Sequence, residues 1–350
     1  MGARVSAVSA VIRHVAESIG AASGANAEAA RAAVAGAAAP MLERLAAALA
    51  GAQHVPRPRA HRRLIVVAAG DHGAGDPGIA MGADHPTIIA AREIAAGTAA
   101  LAQLARAART PIVLIDAGAK EPAFMPPSAI ALGRGATRDL AREPAMTIVD
   151  ATLGLEAGIA LAMTLAEGPE ARDADADLAD GTQPVPATIA PPLALLAIGA
   201  LGVGAEVASA ALIGAVTGEV PTGLGDPQAE LAAHRGIEHA GDGALELLAQ
   251  FGGSETAVLA GLILGAASIN VPVILDSYAT GAAALIAARL APAVTGYLIA
   301  AHRGSFTMPA ILRHLGLAPI FDVGLGHGEG SGAAMVLPLV DQVSALANAS

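Results

Sequence analysis

The chain has 350 residues, a formal net charge of −11 and no cysteine. The negative charge, without a dense Lys/Arg patch, disfavours nucleic acid or an anionic membrane as a partner. The lack of cysteine excludes disulfides, thiolate metal sites and a cysteine nucleophile. An apolar fraction of 54% predicts a folded globular protein, and an aromatic fraction of 2% argues against a site built from stacked rings.

The first predicted element is a helical arm over residues 1–55. Val5–Ala52 is Ala-rich and helical in pattern, with a break at Ser23-Gly24, and Pro56–Arg59 forms a stiff basic connector. The chain becomes helical again after Glu329, through Leu346. We therefore predict a small helical lobe in which residues 335–350 join the N-terminal arm, and an α/β body over residues 60–334.

The body alternates short β-branched runs with Ala-rich helices such as Pro86–Ala107 and Ser254–Ala267. Each run leads into Gly, Asp or His; the runs are Leu64–Ala69, Pro111–Asp116, Leu193–Ile198, Val271–Leu275 and Tyr297–Ala300. Glu167–Pro184 and Pro221–Asp226 are expected to be loops. This alternation predicts the α/β class, with a parallel sheet flanked by helices and a site at the carboxyl ends of its strands.

The mean hydropathy of +0.57 raises the question of membrane spans. Ala187–Ala205 and Val258–Leu275 carry no charge and are about long enough to cross a bilayer. Gly or Pro interrupts both stretches, and buried parallel strands followed by Ala-rich helices produce the same pattern. We therefore expect a soluble protein without a membrane partner. No basic segment followed by an apolar one opens the chain, which indicates a cytoplasmic location.

One carboxylate near the C-terminus stands alone among glycines. Glu329 is flanked by five of them, at positions 324, 326, 328, 330 and 332. Glycines let the backbone approach a ligand closely while one side chain supplies acid–base chemistry, so Glu329 is the candidate catalytic base. A turn leading into a helix is the alternative, since a carboxylate near a helix N-terminus complements the helix dipole.

Other polar residues follow the predicted strands. Polar residues at strand ends are expected to line one crevice with Glu329: Asp71-His72-Gly73, Asp116, Asp276 and His302. No clustered ligand spacing favours a metal, and no Gly-x-Ser-x-Gly elbow favours a serine nucleophile. Gly199–Gly204 resembles a dinucleotide fingerprint, but Val207 replaces its last glycine. It indicates either a phosphate-bearing ligand at a helix N-terminus or tight strand-to-helix packing.

Several motifs together resemble the nicotinate-nucleotide:dimethylbenzimidazole phosphoribosyltransferase family, roughly from Leu42 to Val340. They are Leu64–Gly73 ending in Asp-His-Gly, Gly252–Glu255 opening a helix, Val271–Asp276, Leu290–Ala293 leading into Tyr297–Ile299, and Gly328–Ala334. The last motif, Gly-Glu-Gly-Ser-Gly-Ala-Ala, is the most specific. The resemblance implies a Rossmann-like body, a small lobe from both chain ends and a homodimer without a cofactor.

The resemblance also implies transfer of phosphoribose from nicotinate mononucleotide to a benzimidazole, giving the α-ribotide of the cobalamin lower ligand. Glu329 would take the benzimidazole N–H proton as the other ring nitrogen attacks C1 of the ribose. The residues then expected around the substrates are Asp71, His72, Gly73, Gly82, Leu201, Gly202, Val203, Gly204, Asp276, His302, His327, Gly328, Gly330 and Ser331.

The chain departs from the family pattern on the nucleotide side. Where the family has Gly-Glu-x-Gly-x-x-Asn-Thr-Thr, Gly199–Val207 lacks the amide and hydroxyl side chains, and Glu206 would repel a phosphate that it faced. Gly82 and Ala90 replace a serine and a glutamine beside the base. Two functions remain open. The chain is an active transferase, with an azole or phenolic acceptor, or it is a weak or inactive paralogue that binds ligand or partners an active homologue.

Overall fold

The computed structural model describes residues 9–37, 39–74, 78–133, 135–167, 192–221, 226–304, 308–322, 325 and 328–349. Its centre is one six-stranded sheet in the order β3-β2-β1-β4-β5-β6, and every neighbouring pair is parallel. This is the strand order of the Rossmann fold. The predicted fold class is confirmed.

The strands and helices alternate along most of the chain. The strands are β1 Arg63–Gly70, β2 Ile112–Gly118, β3 Ile130–Ala131, β4 Leu195–Leu201, β5 Val273–Leu275 and β6 Leu298–Ala300. The helices are α1 Ala10–Ser18, α2 Gly24–Val34, α3 Pro40–Ala52, α4 Pro86–Ala96, α5 Ala100–Ala107, α6 Ile148–Glu167, α7 Ala205–Thr217, α8 Pro227–Glu238, α9 Ala244–Phe251, α10 Ser254–Ser268, α11 Tyr278–Leu290, α12 Met308–Leu315 and α13 Ser331–Ala349.

Alternate residues of the strands enter two hydrophobic cores, one on each face of the sheet. On β1, Val66 and Ala68 face one core, to which α6, α7, α10 and α11 contribute. Ile65 and Val67 face the other core, to which α2, α3, α5 and α13 contribute. Because both faces are covered, the strands are apolar throughout rather than alternating. This burial accounts for the high hydropathy of the sequence.

Glycines bring α6 and α10 into backbone contact. A Cβ atom at Gly158 would lie 2.0 Å from the carbonyl oxygen of Val258, and one at Gly261 would lie 2.0 Å from that of Leu155. Each helix therefore approaches the other where it lacks a side chain. Helix α10 is almost entirely buried by this contact and by the sheet, which explains its uncharged sequence after Glu255.

Several boundaries differ from the predicted ones. The single helix predicted at Pro86–Ala107 is two helices, because Gly97 adopts a φ of 78° and ends α4. Strand β4 extends to Leu201, further than Leu193–Ile198, and β3 was not predicted. The loop predicted at Glu167–Pro184 lies outside the described residues beyond its first position, and Pro221–Asp226 lies outside them at 222–225.

Helices α2 and α3 meet α13 on one face of the sheet, whereas α1 lies on the other face. The predicted break near Ser23 is confirmed, since its side chain caps α2 by accepting from the Asn26 amide at 3.3 Å. Helix α13 packs on α2 and α3 but also on α5 and β4, and α1 packs on α10 and α6. Arg63 at the start of β1 binds Asp341 of α13 at 2.5 and 2.8 Å. The division into a lobe of 1–55 with 335–350 and a body of 60–334 stays a prediction.

Some helical stretches are apolar enough, by length and composition alone, to cross a membrane. In the part of the chain that the structure describes they are Pro86–Ala107, Ile148–Glu167 and Ser331–Ala349. The two stretches singled out from the sequence are not single helices: Val258–Leu275 divides between α10 and β5, and the described part of Ala187–Ala205 contains β4.

Candidate active site

Asp71 binds the segments that follow three strands at the carboxyl edge of the sheet. It follows β1 directly, and its buried carboxylate accepts hydrogen bonds from Thr87 Oγ1 at 2.5 Å, the Lys120 amide at 2.7 Å and the Val203 amide at 2.9 Å. Those donors lie after β1, β2 and β4. Charge-assisted bonds of this kind are strong. Asp71 therefore fixes the crevice between β1 and β4, where the strand order reverses and Rossmann-like folds bind ligands.

His72 forms a buried pair with Glu255 at the start of α10. Its Nε2 lies 3.1 Å from Glu255 Oε1, and its amide donates to the Val203 carbonyl at 2.9 Å. Burial acts to lower the pKa of His72, but the Glu255 charge and hydrogen bond, with the Asp71 charge, outweigh it, so the pKa is raised. The two neighbouring carboxylates therefore favour the protonated form of His72 relative to a free imidazole.

Gly202–Gly204 makes a tight turn from β4 into α7. A Cβ atom at Gly202 would lie 1.8 Å from the Gly70 carbonyl oxygen, and Gly204 precedes α7 with a φ of 81°. Leu201, the last residue of β4, is buried. The packing explanation of these glycines is thus supported, and the turn still presents backbone at the β1–β4 crevice. Burial, and then the Asp226 charge, raises the pKa of the half-buried Glu206 in the first turn of α7.

Two other predicted glycines lie against different neighbours. A Cβ atom at Gly73 would lie 2.4 Å from the Asp139 amide nitrogen, so Gly73 packs on the loop before α6. Gly82 has a φ of 69°, and the nearest atoms to its Cβ position belong to the Phe124 ring. His327 lies outside the described residues.

The segment Gly328–Gly330, which we call the Glu329 loop, lies on β4. The Ala200 amide donates to the Gly328 carbonyl at 3.1 Å. A Cβ atom at Gly199 would lie only 2.3 Å from the Glu329 carbonyl oxygen, so the loop rests directly on the strand. Ser331 then begins α13. Glu329 is half-buried at the carboxyl edge of the sheet and also precedes a helix, which agrees with both interpretations of its sequence context.

Asp276 and His302 lie beneath this loop, after β5 and β6. The Asp276 carboxylate is fully buried and accepts from the Gly330 amide at 3.1 Å and the Ala333 amide at 2.9 Å. The buried His302 ring places Nε2 3.9 Å from Asp276 Oδ1, and neither ring nitrogen has a hydrogen-bond partner among the described residues. Burial lowers the pKa of His302, and the Asp276 backbone, which acts to raise this pKa, offsets only part of the effect.

Burial raises the pKa of Asp276 to about 6, and the Glu329 charge adds to this, although the backbone amides act in the opposite direction. A raised pKa means that the folded protein binds this proton more tightly than the unfolded chain, so the contribution of Asp276 to stability falls as pH rises between 3.8 and about 6. The fall is about 3 kcal/mol. We expect Asp276→Asn to abolish it, so that the variant gains stability relative to the wild type across this range.

Urea unfolding of both proteins from pH 4 to pH 8 measures this difference directly, because contributions of the other titrating groups cancel between the two. A stability difference that does not change with pH would show that Asp276 titrates normally.

A separate cleft of about 480 Å³ lies beyond β2. Its described lining includes Ala117, Thr137, Asp150 and Ser254, and none of the predicted site residues. Within the described residues, no group of three or more His, Asp or Glu side chains is arranged to hold a metal. Apart from Gly73, Gly82 and Asp116, the predicted residues that the structure describes gather instead around two places, the Asp71–Val203 junction and the Glu329 loop.

Comparison with known proteins decides the family. The phosphoribosyltransferase family model DBI_PRT matches residues 18–172 and 169–350. The nicotinate-nucleotide–dimethylbenzimidazole phosphoribosyltransferase of Roseiflexus sp. (strain RS-1) is 36% identical over 315 residues, covering 85% of this chain and 82% of the relative. The enzyme of the same name from Azotobacter vinelandii is 37% identical over 313 residues, covering 87% and 85%.

The chain belongs to the nicotinate-nucleotide–dimethylbenzimidazole phosphoribosyltransferase family. The crystal structure of the corresponding enzyme from Thermus thermophilus has a TM-score of 0.70 with this fold at 29% identity, covering 88% of this chain and 89% of that one. The family resemblance inferred from the motifs is thereby confirmed.

Some residues that shape the site of this phosphoribosyltransferase were not predicted to belong to it. Glu255 pairs with His72, Thr87 binds Asp71, and Gly199 makes room for the Glu329 loop. Glu255 carried a signal, because it is a carboxylate that opens an otherwise uncharged helix. Gly199 carried one as the first glycine of the Gly199–Gly204 segment, although its contact with the Glu329 loop was not predicted. Thr87 carried none, since its importance depends on a contact with a residue distant in the sequence.

Proposed function

We propose that this phosphoribosyltransferase moves phosphoribose from nicotinate mononucleotide to a benzimidazole-type base, giving the α-ribotide used in cobalamin lower-ligand synthesis. The names of its relatives support these substrates. The observation that carries the proposal is the half-buried Glu329, held by its backbone against β4 and Asp276 at the carboxyl edge of a parallel sheet.

The reaction forms one C–N bond and breaks another. A ring nitrogen of the benzimidazole donates its lone pair to C1 of the ribose, the bond from C1 to the nicotinate nitrogen breaks, and its electron pair returns to the pyridinium ring. The ring of the departing nicotinate becomes neutral without taking up a proton. The incoming azole becomes cationic unless it loses its N–H proton, and Glu329 accepts that proton. Neither a metal nor a general acid is required by this sequence of steps.

The other predicted residues have supporting places in this proposal. Asp71 and His72 hold the Gly202–Gly204 turn through Val203, and the amides of Gly202 and Gly204 would meet the donor phosphate near the N-terminus of α7. Gly328, Gly330 and Ser331 carry Glu329 and begin α13, with His302 and His327 as further expected neighbours of the substrates. Glu206 lies in the first turn of α7, so we expect this chain to bind the donor phosphate through backbone rather than side-chain donors.

We also propose a cytoplasmic homodimer, with a hetero-oligomer containing a homologue as the alternative, and with no membrane or nucleic-acid partner. Exposed apolar side chains on the first turns of α6 support self-association: Ile148 is 42% exposed, Val149 64% and Leu153 42%. Side chains of this size are unusual as an exposed group on a monomer. The net charge of −11 supports the lack of a nucleic-acid partner.

To test the proposal, the purified chain is incubated with nicotinate mononucleotide and 5,6-dimethylbenzimidazole. The products are separated by chromatography and identified by mass spectrometry. We expect equal amounts of nicotinate and α-ribotide. Adenine, unsubstituted benzimidazole and phenol serve as further acceptors. If no acceptor gave a ribotide, the proposal would be overturned and the inactive paralogue favoured. Size-exclusion chromatography would then measure whether the chain binds an active homologue.

A further inference from the structure

The Asp276 carboxylate makes its hydrogen bonds to the peptide that carries Glu329 and to the helix that follows it. Its Oδ2 accepts from the Gly330 amide at 3.1 Å, and its Oδ1 accepts from the Ala333 amide at 2.9 Å. The Gly330 amide belongs to the peptide bond that immediately follows Glu329. Asp276, which follows β5, therefore fixes the orientation of this peptide and with it the direction of the Glu329 side chain.

Asp276 is itself held in place by the first turn of α11. Thr280 Oγ1 accepts from the amides of Asp276 and Ser277, each at 3.0 Å, and donates to the Ser277 carbonyl at 2.8 Å. Asp276 and Thr280 are both 0% exposed. The carboxyl group is therefore rigidly mounted and shielded from solvent.

The space beneath the loop depends on a missing side chain. A Cβ atom at Gly332 would lie 2.3 Å from His302 Cδ2 and 2.8 Å from Asp276 Oδ1. The His302 ring and the Asp276 carboxylate thus pack against the first turn of α13. Among the described residues, the titratable groups that face Asp276 are Glu329 from the loop and His302 from the end of β6.

We propose that Asp276 is a positioning residue for the transfer reaction, holding the Glu329 loop so that the Glu329 carboxylate meets the N–H of the acceptor base. This inference rests on the proposed function, in which Glu329 is the base. In Asp276→Asn, an amide NH₂ replaces one oxygen and faces a backbone N–H, so either Gly330 or Ala333 loses its acceptor. Displacing a reacting group by about 1 Å lowers rates by about 10²-fold.

A double-mutant cycle on kcat tests the proposal, with the wild type, D276N, E329Q and D276N/E329Q. We expect D276N alone to lower kcat by about 10- to 100-fold, with the KM of both substrates unchanged. In the E329Q background, D276N should have no further effect, because a displaced residue that no longer acts as a base cannot lose more activity.

The matched control is D116N. Asp116 is also buried at a strand end, where its Oδ1 accepts from the Ala119 amide at 2.8 Å, but it belongs to β2. Its substitution should change kcat equally in both backgrounds. Should D276N fail to fold, Thr280→Val, which removes the group that holds Asp276, takes its place in the cycle with the same expectation.

Equal losses of kcat from D276N in both backgrounds, or a raised KM with unchanged kcat, would overturn the positioning role while leaving Glu329 as the base. Full turnover by E329Q would instead overturn the proposed mechanism, and the positioning role with it.

Discussion

Glu329→Gln is expected to lower kcat for ribotide formation by about 10²- to 10⁴-fold, the usual contribution of a general base. The amide is close in shape to the carboxylate and leaves the backbone contacts of the loop with Ala200 and Asp276 in place. Binding of nicotinate mononucleotide should therefore be unchanged. Steady-state kinetics with both substrates, together with calorimetric titration of the donor, separate the chemical step from binding.

Glu238→Gln is the control for this substitution, because Glu238 is exposed at the end of α8. It should retain wild-type kinetics. If Glu329→Gln turned over at the wild-type rate, another group would have to accept the azole proton, and the mechanism proposed above would be wrong.

Gly199→Ala is expected to impair both activity and stability. The new Cβ atom would lie 2.3 Å from the Glu329 carbonyl oxygen and 2.6 Å from the Gly330 nitrogen, and both are backbone atoms that cannot rotate away. The loop must move off β4, at a cost of about 1–3 kcal/mol in the free energy of unfolding. The displaced Glu329 should lower kcat by about 10- to 100-fold. Urea unfolding and kinetics measure the two effects.

Gly241→Ala provides the comparison, since no atom lies within 4 Å of its Cβ position. It should alter the free energy of unfolding by no more than about 0.5 kcal/mol. A Gly199→Ala protein that is destabilised yet keeps the wild-type kcat would show that the position of the loop on β4 does not control the reaction.

Local patterns in the sequence sufficed to predict the fold. The five predicted runs were short β-branched or apolar segments leading into Gly, Asp or His, and all five overlap strands of the parallel sheet. Their order along the chain, with helices between them, constrains the topology. Boundaries were predicted less well: Gly97 interrupts the helix expected at Pro86–Ala107, and the two-residue strand β3 is too short to leave a pattern.

The site was predictable where one residue type carried the signal and not where distant residues meet. An isolated carboxylate among glycines drew attention to Glu329. In contrast, Asp71 and the Val203 amide are 132 residues apart, and Asp276 and the Gly330 amide are 54 apart. Such pairs depend on the register of the sheet and on the packing of α13, which no local pattern reports. For example, Asp276 was expected beside the substrates, but its hydrogen bonds to the Gly330 and Ala333 amides could not be predicted from the sequence.

A crystal structure of Glu329→Gln with nicotinate mononucleotide and 5,6-dimethylbenzimidazole would test the central claim most directly. We predict the side chain of residue 329 within about 2.6–3.2 Å of one benzimidazole nitrogen, with the other nitrogen facing C1 of the ribose. Binding of the base elsewhere, for example in the cleft between Thr137 and Ser254, with residue 329 out of its reach, would contradict the role of Glu329 as the base.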